Sequence, residues 1–106
     1  MSKWVRVAGV AECGPGTALE RVAEGRVIAL YNVAGSLYAL DGVCPHQGGP
    51  LGEGELAGSV VTCPWHGWQF DVCTGQNQLN GNVQQAKIPV RVEQDAIFVD
   101  LDAPTA

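Results

Sequence analysis

The most constraining feature of this sequence is a pair of short motifs that each hold one cysteine and one histidine. The first is Cys44-x-His46, and after sixteen further residues comes the second, Cys63-x-x-His66. Thiolate and imidazole are common protein ligands of iron and zinc. Because each motif supplies one of each, the two loops that carry them would have to face each other. The chain therefore needs a fold that brings two distant loops together.

Two other interpretations of these four residues are open. They could form a structural zinc site, but zinc fingers usually place both cysteines in one knuckle and both histidines in another. They could also be unligated side chains in a core, which would require four coincidences. The alternation of cysteine and histidine within each motif therefore argues against a zinc finger, and four coincidences argue against unligated side chains.

Length and charge limit the classes of function. A chain of 106 residues is expected to form one domain. Six Lys and Arg against eleven Asp and Glu give a net charge of −5, which argues against nucleic acid or an anionic membrane as partner. No secretory signal follows Met1, and the apolar runs are far shorter than the ~20 residues of a membrane span. These features predict a cytoplasmic protein, and we expect a monomer.

Two further cysteines, Cys13 and Cys73, lie outside the motifs. They could pair with each other. In a reducing compartment, however, we expect both to remain free thiols that act as small apolar side chains in or near the core.

Short apolar runs separated by many turn residues predict an all-β fold. Fourteen Gly and six Pro supply the turns. Strands are predicted at 4–7, 26–32, 37–40, 59–62, 68–72, 87–92 and 97–101, with turns at 14–16, 34–36 and 71–75. Residues 19–24 alternate too poorly to assign, and 52–58 is expected to be a short edge segment. The polar stretch 76–85 is predicted to be a plain surface connector.

The sequence around the two motifs resembles that of Rieske proteins. Their [2Fe–2S] cluster has two Cys on one iron and two His on the other. The similarity covers residues 44–51 and 63–71 and the pair Thr74-Gly75. It implies that one cluster per chain is bound by four ligands, namely Cys44, His46, Cys63 and His66. It also implies a Rieske-like fold, with stacked antiparallel sheets as a base (1–42 and 69–106) and a small cluster-binding lobe (43–68), all within a single domain (1–106).

Comparison with the high-potential members of that family implies a low reduction potential for this chain. Those members carry an extra cysteine in each ligand loop, joined as a disulfide, where this chain has Gly49 and Trp65. They also carry Ser and Tyr hydroxyls that bond to sulfur, where this chain has Trp68 and Phe70. Hydrogen bonds to sulfur stabilise the reduced cluster, so their loss lowers the potential. The resemblance further places a small set of residues beside the cluster or on a docking surface: Gln47, Gly48, Trp65, Gly67, Trp68 and Phe70.

The resemblance implies a soluble electron carrier that performs no bond chemistry itself. It would take single electrons from an NAD(P)H-dependent flavin reductase and pass them to a terminal oxygenase of aromatic hydrocarbon catabolism. The alternative is a small Rieske subunit of a multi-component reductase such as assimilatory nitrite reductase, whose members often lack some ligands. A complete oxygenase would need a second iron site with two further histidines. The chain has only His46 and His66, so we expect it not to be one.

Overall fold

Ten strands in three antiparallel sheets make up the computed structural model, which describes residues 2–44, 48–65 and 67–102. The strands are β1 (Trp4–Gly9), β2 (Ala18–Ala23), β3 (Arg26–Val33), β4 (Ser36–Asp41), β5 (Glu55–Ala57), β6 (Val60–Thr62), β7 (Gln69–Asp71), β8 (Lys87–Ile88), β9 (Val90–Glu93) and β10 (Ala96–Asp100). The sheet orders are β1-β10-β9, β2-β3-β4-β8 and β5-β6-β7. The predicted all-β class is confirmed, since the only helical turns in these ranges are two short 3-10 turns.

The four-stranded sheet carries a separate hydrophobic core on each of its faces. Side chains of a strand point alternately to opposite faces. In β3, Ile28 and Leu30 therefore pack against the sheet of β1, β10 and β9. Ala29 and Tyr31 pack on the other face, in the cluster that also contains residues of β6 and β7. Both cysteines of the paired motifs belong to this second cluster, so the candidate site rests on the central sheet.

The tight turn between β3 and β4 has the conformation that the sequence predicts. Ala34 (φ 52°) and Gly35 (φ 97°) both have positive φ, as a two-residue hairpin turn with right-handed strand twist requires. All of the unassigned stretch 19–24 except Glu24 falls within β2, an edge strand with only Ala23 buried. Its apolar pattern is weak because most of its residues, on both faces, are only partly buried.

The prediction of a plain surface connector at 76–85 is wrong. Gln76 and Gln84 form an antiparallel bridge, and Asn77 N–H donates to Val83 O at 3.0 Å, so the segment folds as a hairpin. Asn77 is also bridged to Phe70 of β7 and is nearly buried. Buried amide side chains are tolerated where their polar atoms find partners. Asn77 Oδ1 accepts hydrogen bonds from two backbone N–H groups at 2.8 and 2.9 Å.

Cys13 and Cys73 are free thiols, as predicted. Cys13 is fully buried in the core between the four-stranded sheet and the sheet of β1, β10 and β9, where desolvation raises its pKa. No helix in the described ranges is long and apolar enough to cross a membrane. The sheet of β5, β6 and β7 continues past residue 68, the predicted end of the lobe, to Asp71. The division of the chain into a base and a lobe at residues 43–68 stays a prediction.

Candidate metal centre

Cys44 lies at the neck of a tight loop that follows β4. Its N–H donates to Gly49 O, and its carbonyl accepts from Gly48 N–H, both at 2.9 Å. Gly48 adopts φ 75°, which glycine reaches without steric cost. An antiparallel bridge between Val43 and Pro50 joins the two sides of the loop at its base. These contacts hold Cys44 in the interior, where only 2% of its surface is exposed.

Cys63 follows directly on β6 and begins a second tight loop. Its N–H donates to Trp68 O at 2.7 Å, just beyond the pairing of Thr62 with Gln69. Gly67 in the same loop adopts φ 73°. Cys63 is 1% exposed. Both cysteines are therefore presented at the start of a loop, next to a hydrogen-bonded strand pair.

The two loops meet at Gly49. A Cβ atom added there would lie 2.8 Å from Cys63 Sγ and 2.9 Å from Trp65 Cβ, both closer than real Cβ contacts. The Cys44 side chain is close enough to Cys63 to add to the rise in its pKa. Only glycine leaves room for this approach, so the predicted meeting of two distant loops is observed for their cysteine halves.

The surroundings of the two cysteines fit metal binding. Both are buried free thiols in the same hydrophobic cluster. Burial raises the pKa of Cys63, and a backbone hydrogen bond from Trp65 N–H to its sulfur opposes that shift only in part. A thiolate in so buried a position needs a cation beside it, and a bound metal ion supplies one. The donor set and the space at Gly49 thus fit a cysteine-ligated iron centre.

Tyr31 and Leu51 lie beneath the two cysteines, and both are fully buried. The Tyr31 hydroxyl donates to Leu51 O at 2.8 Å. Burial raises the pKa of Tyr31 far above its usual value, and the neighbouring Cys63 and Cys44 add to that shift. The hydroxyl therefore stays protonated and fixes the first loop where it turns back. Leu51 thus forms an apolar support beneath this loop. The role of Tyr31 was not predicted, because its strand reads only as an apolar run.

Of the other predicted site residues, three lie outside the described residues: His46, Gln47 and His66. The four-ligand set therefore stays a prediction, and the part of the chain that is described contains no group of three potential metal ligands. Trp65 is half exposed, while Phe70 is fully buried with its ring 6.4 Å from that of Trp68. Gly48 and Gly67 both lie on the ligand loops.

Comparisons with known proteins agree with this geometry. Residues 3–93 match the family model described as Rieske [2Fe-2S] domain. The ferredoxin component of the naphthalene 1,2-dioxygenase system of Pseudomonas aeruginosa is 36% identical over 100 residues, covering 93% of this chain and 96% of that protein.

Solved structures of similar fold also come from the ferredoxins of dioxygenase systems. The ferredoxin of carbazole 1,9a-dioxygenase from Nocardioides aromaticivorans superposes with a TM-score of 0.83 at 28% identity, covering 92% of this chain and 96% of that one. A chain from a complex of reduced oxygenase and oxidized ferredoxin of carbazole 1,9a-dioxygenase gives a TM-score of 0.84 at 32% identity, with 92% of both chains covered.

Proposed function

Because this chain belongs to the Rieske [2Fe–2S] family, we propose that it is a one-electron carrier that delivers electrons to a terminal oxygenase. The observation that carries the proposal is the meeting of two ligand loops at Gly49, each with a buried cysteine that is free of a disulfide. The relatives that match almost the whole chain are named as ferredoxin components of dioxygenase systems. Such components carry electrons and leave the bond chemistry to the oxygenase.

We assign the ligands as Cys44 and Cys63 on one iron and His46 and His66 on the other, the arrangement of a Rieske cluster. When bound, that cluster supplies a one-electron redox couple. The chain's own contribution is to hold the ligand loops in place and to keep water from the thiolates. Cys44 and Cys63 are almost fully buried. The backbone of Trp65 lowers the pKa of Cys63 and so favours negative charge on its sulfur.

The partners in this proposal are a flavin-containing NAD(P)H-dependent reductase as donor and a terminal oxygenase as acceptor. A solved neighbour at 32% identity comes from a complex of an oxygenase with its ferredoxin. Trp65, which is 50% exposed, and Val43, which is 45% exposed, put apolar surface on the two ligand loops. Apolar and aromatic side chains at the centre of a contact supply much of its binding energy. We place the oxygenase on this surface and the carrier in the cytoplasm.

The test is a reconstituted chain of electron transfer. Purified protein is mixed with NADH, a flavin reductase and an aromatic-ring dioxygenase, and formation of the oxidised aromatic product is measured. We expect product only when all components are present, and none with a Cys63→Ser variant. A cluster-loaded protein that the reductase reduces, but that transfers no electron to any dioxygenase of this class, would contradict the proposal.

A further inference from the structure

The hairpin at residues 75–85 bonds to the backbone that flanks the two ligand loops. Its first arm runs along β7, which leads out of the second loop, and Gln78 N–H donates to Gln69 O at 2.9 Å. Its second arm ends at Gln85, whose N–H donates to Gly75 O at 2.7 Å. Gly75 adopts φ 82°, and a Cβ added there would collide with the carbonyl of Gln85. The hydrogen bond to Gly75 and the close packing against it thus hold the backbone of Gln85 in one position.

The side chain of Gln85 points inward and bonds to the entry of the first ligand loop. Gln85 is 5% exposed. Its Nε2 donates to Asp41 O and to Val43 O, both at 2.7 Å. Both amide protons are therefore used, and both acceptors lie within three residues of Cys44. Only an amide-bearing chain of this length supplies two donors there without bringing a charge into the interior.

These two bonds complete the hydrogen bonding of the backbone that delivers Cys44. Asp41 N–H donates to Ala86 O, and Gly42 N–H donates to Val27 O, both at 2.9 Å. The Gly42 carbonyl accepts from Leu51 N–H at 2.9 Å. The carbonyls of residues 41 and 43 receive their donor from Gln85. Removing the amide would leave both carbonyls without that donor in a setting where backbone groups are normally paired.

We propose that Gln85 is a positioning residue for the metal centre, which fixes the first ligand loop through its two carbonyls and ties that loop to the second through the hairpin. The inference rests on the proposed ligand set. Outer hydrogen bonds of this kind hold ligands in the geometry that the metal requires, and their loss typically weakens metal binding by roughly 10–100-fold.

The test compares Gln85→Met with Gln84→Met in cluster-loaded protein. Methionine keeps the length of glutamine but donates no hydrogen bond, and exposed Gln84 is the neighbour on the same arm. We expect Gln85→Met to lose its cluster to a chelator at least about tenfold faster than wild type, with a changed visible circular dichroism and EPR spectrum of the reduced cluster. Gln84→Met should match wild type in all three measurements.

A thermal melt followed in the far ultraviolet separates positioning from simple stability. A residue that only stabilises the fold would lower the melting temperature while leaving the cluster spectra unchanged well below it, and that result would overturn the proposal. Gln85→Asn, which shortens the side chain but keeps the amide, carries the same test if Gln85→Met does not fold. Wild-type protein that binds no cluster would instead refute the ligand assignment.

Discussion

Gly49→Ala tests whether the two ligand loops meet where the structure places them. The added Cβ would lie 2.8 Å from Cys63 Sγ and 2.9 Å from Trp65 Cβ, whereas ordinary contacts begin at 3.4 Å. The loops would therefore have to separate by about 0.6 Å at sulfur, the difference between 3.4 and 2.8 Å. No positive φ is recorded at Gly49, so the cost of alanine is steric. Forcing extra atoms into a packed interior costs about 1–3 kcal/mol.

That cost should appear both in stability and in the cluster. For a domain of this size, each kcal/mol lowers the melting temperature by roughly 4–8 °C. The variant should therefore melt well below wild type, and its cluster should bleach faster in air because Cys63 is displaced. The assays are circular dichroism for unfolding and visible absorption for the cluster.

Gly14→Ala is the matched control. Nothing lies within 4 Å of a Cβ added at Gly14, and no positive φ is recorded there. We expect its stability and cluster lifetime to match those of wild type within experimental error. If Gly49→Ala behaves like Gly14→Ala, the loops do not meet at Gly49 and the described geometry of the site is wrong.

Three further predictions concern the reduction potential, the support beneath the first ligand loop and the role of Trp65. The reduction potential should lie at roughly −150 mV, the low end of the Rieske range, because Trp68 and Phe70 bring no hydroxyl, and voltammetry that gives a clearly positive value would refute this reasoning. Tyr31→Phe should lower the free energy of unfolding by about 1–2 kcal/mol in denaturant titrations, because Leu51 O loses a buried donor, and an unchanged midpoint would argue against that role. Trp65→Ala separates docking from shielding: slower electron transfer at unchanged potential indicates a docking anchor, faster cluster loss with a shifted potential indicates a shield, and no change in any measurement excludes both.

The strands and the ligand loops could be predicted because their signals are local. Turn residues such as Ala34-Gly35 predict hairpins, and the spacing of Cys44 and Cys63 indicates two loops around one metal centre. The edge strand β2 could not be assigned, because most of its residues are neither buried nor exposed.

The long-range contacts beneath the site could not be predicted. Gln85 bonds to the carbonyls of Asp41 and Val43, which precede it by 44 and 42 residues. Tyr31 bonds to the carbonyl of Leu51, which follows it by 20 residues. A run rich in Asn and Gln is typical of solvated loops, and its buried hydrogen-bond partners lie far away in the sequence. For that reason residues 76–85 were predicted to be a surface connector. A tyrosine within an apolar strand likewise gives no sign that its hydroxyl holds a ligand loop.

Metal and sulfide analysis of the purified protein decides whether the chain binds a [2Fe–2S] cluster. Protein produced with adequate iron should contain about two irons and two labile sulfides per chain, and on reduction it should give the EPR signal of a [2Fe–2S] cluster. Cys44→Ser and Cys63→Ser should abolish both, because the ligand loops depend on the metal for their structure. Zinc in place of iron in the wild-type protein, or an intact cluster in either variant, would contradict the account.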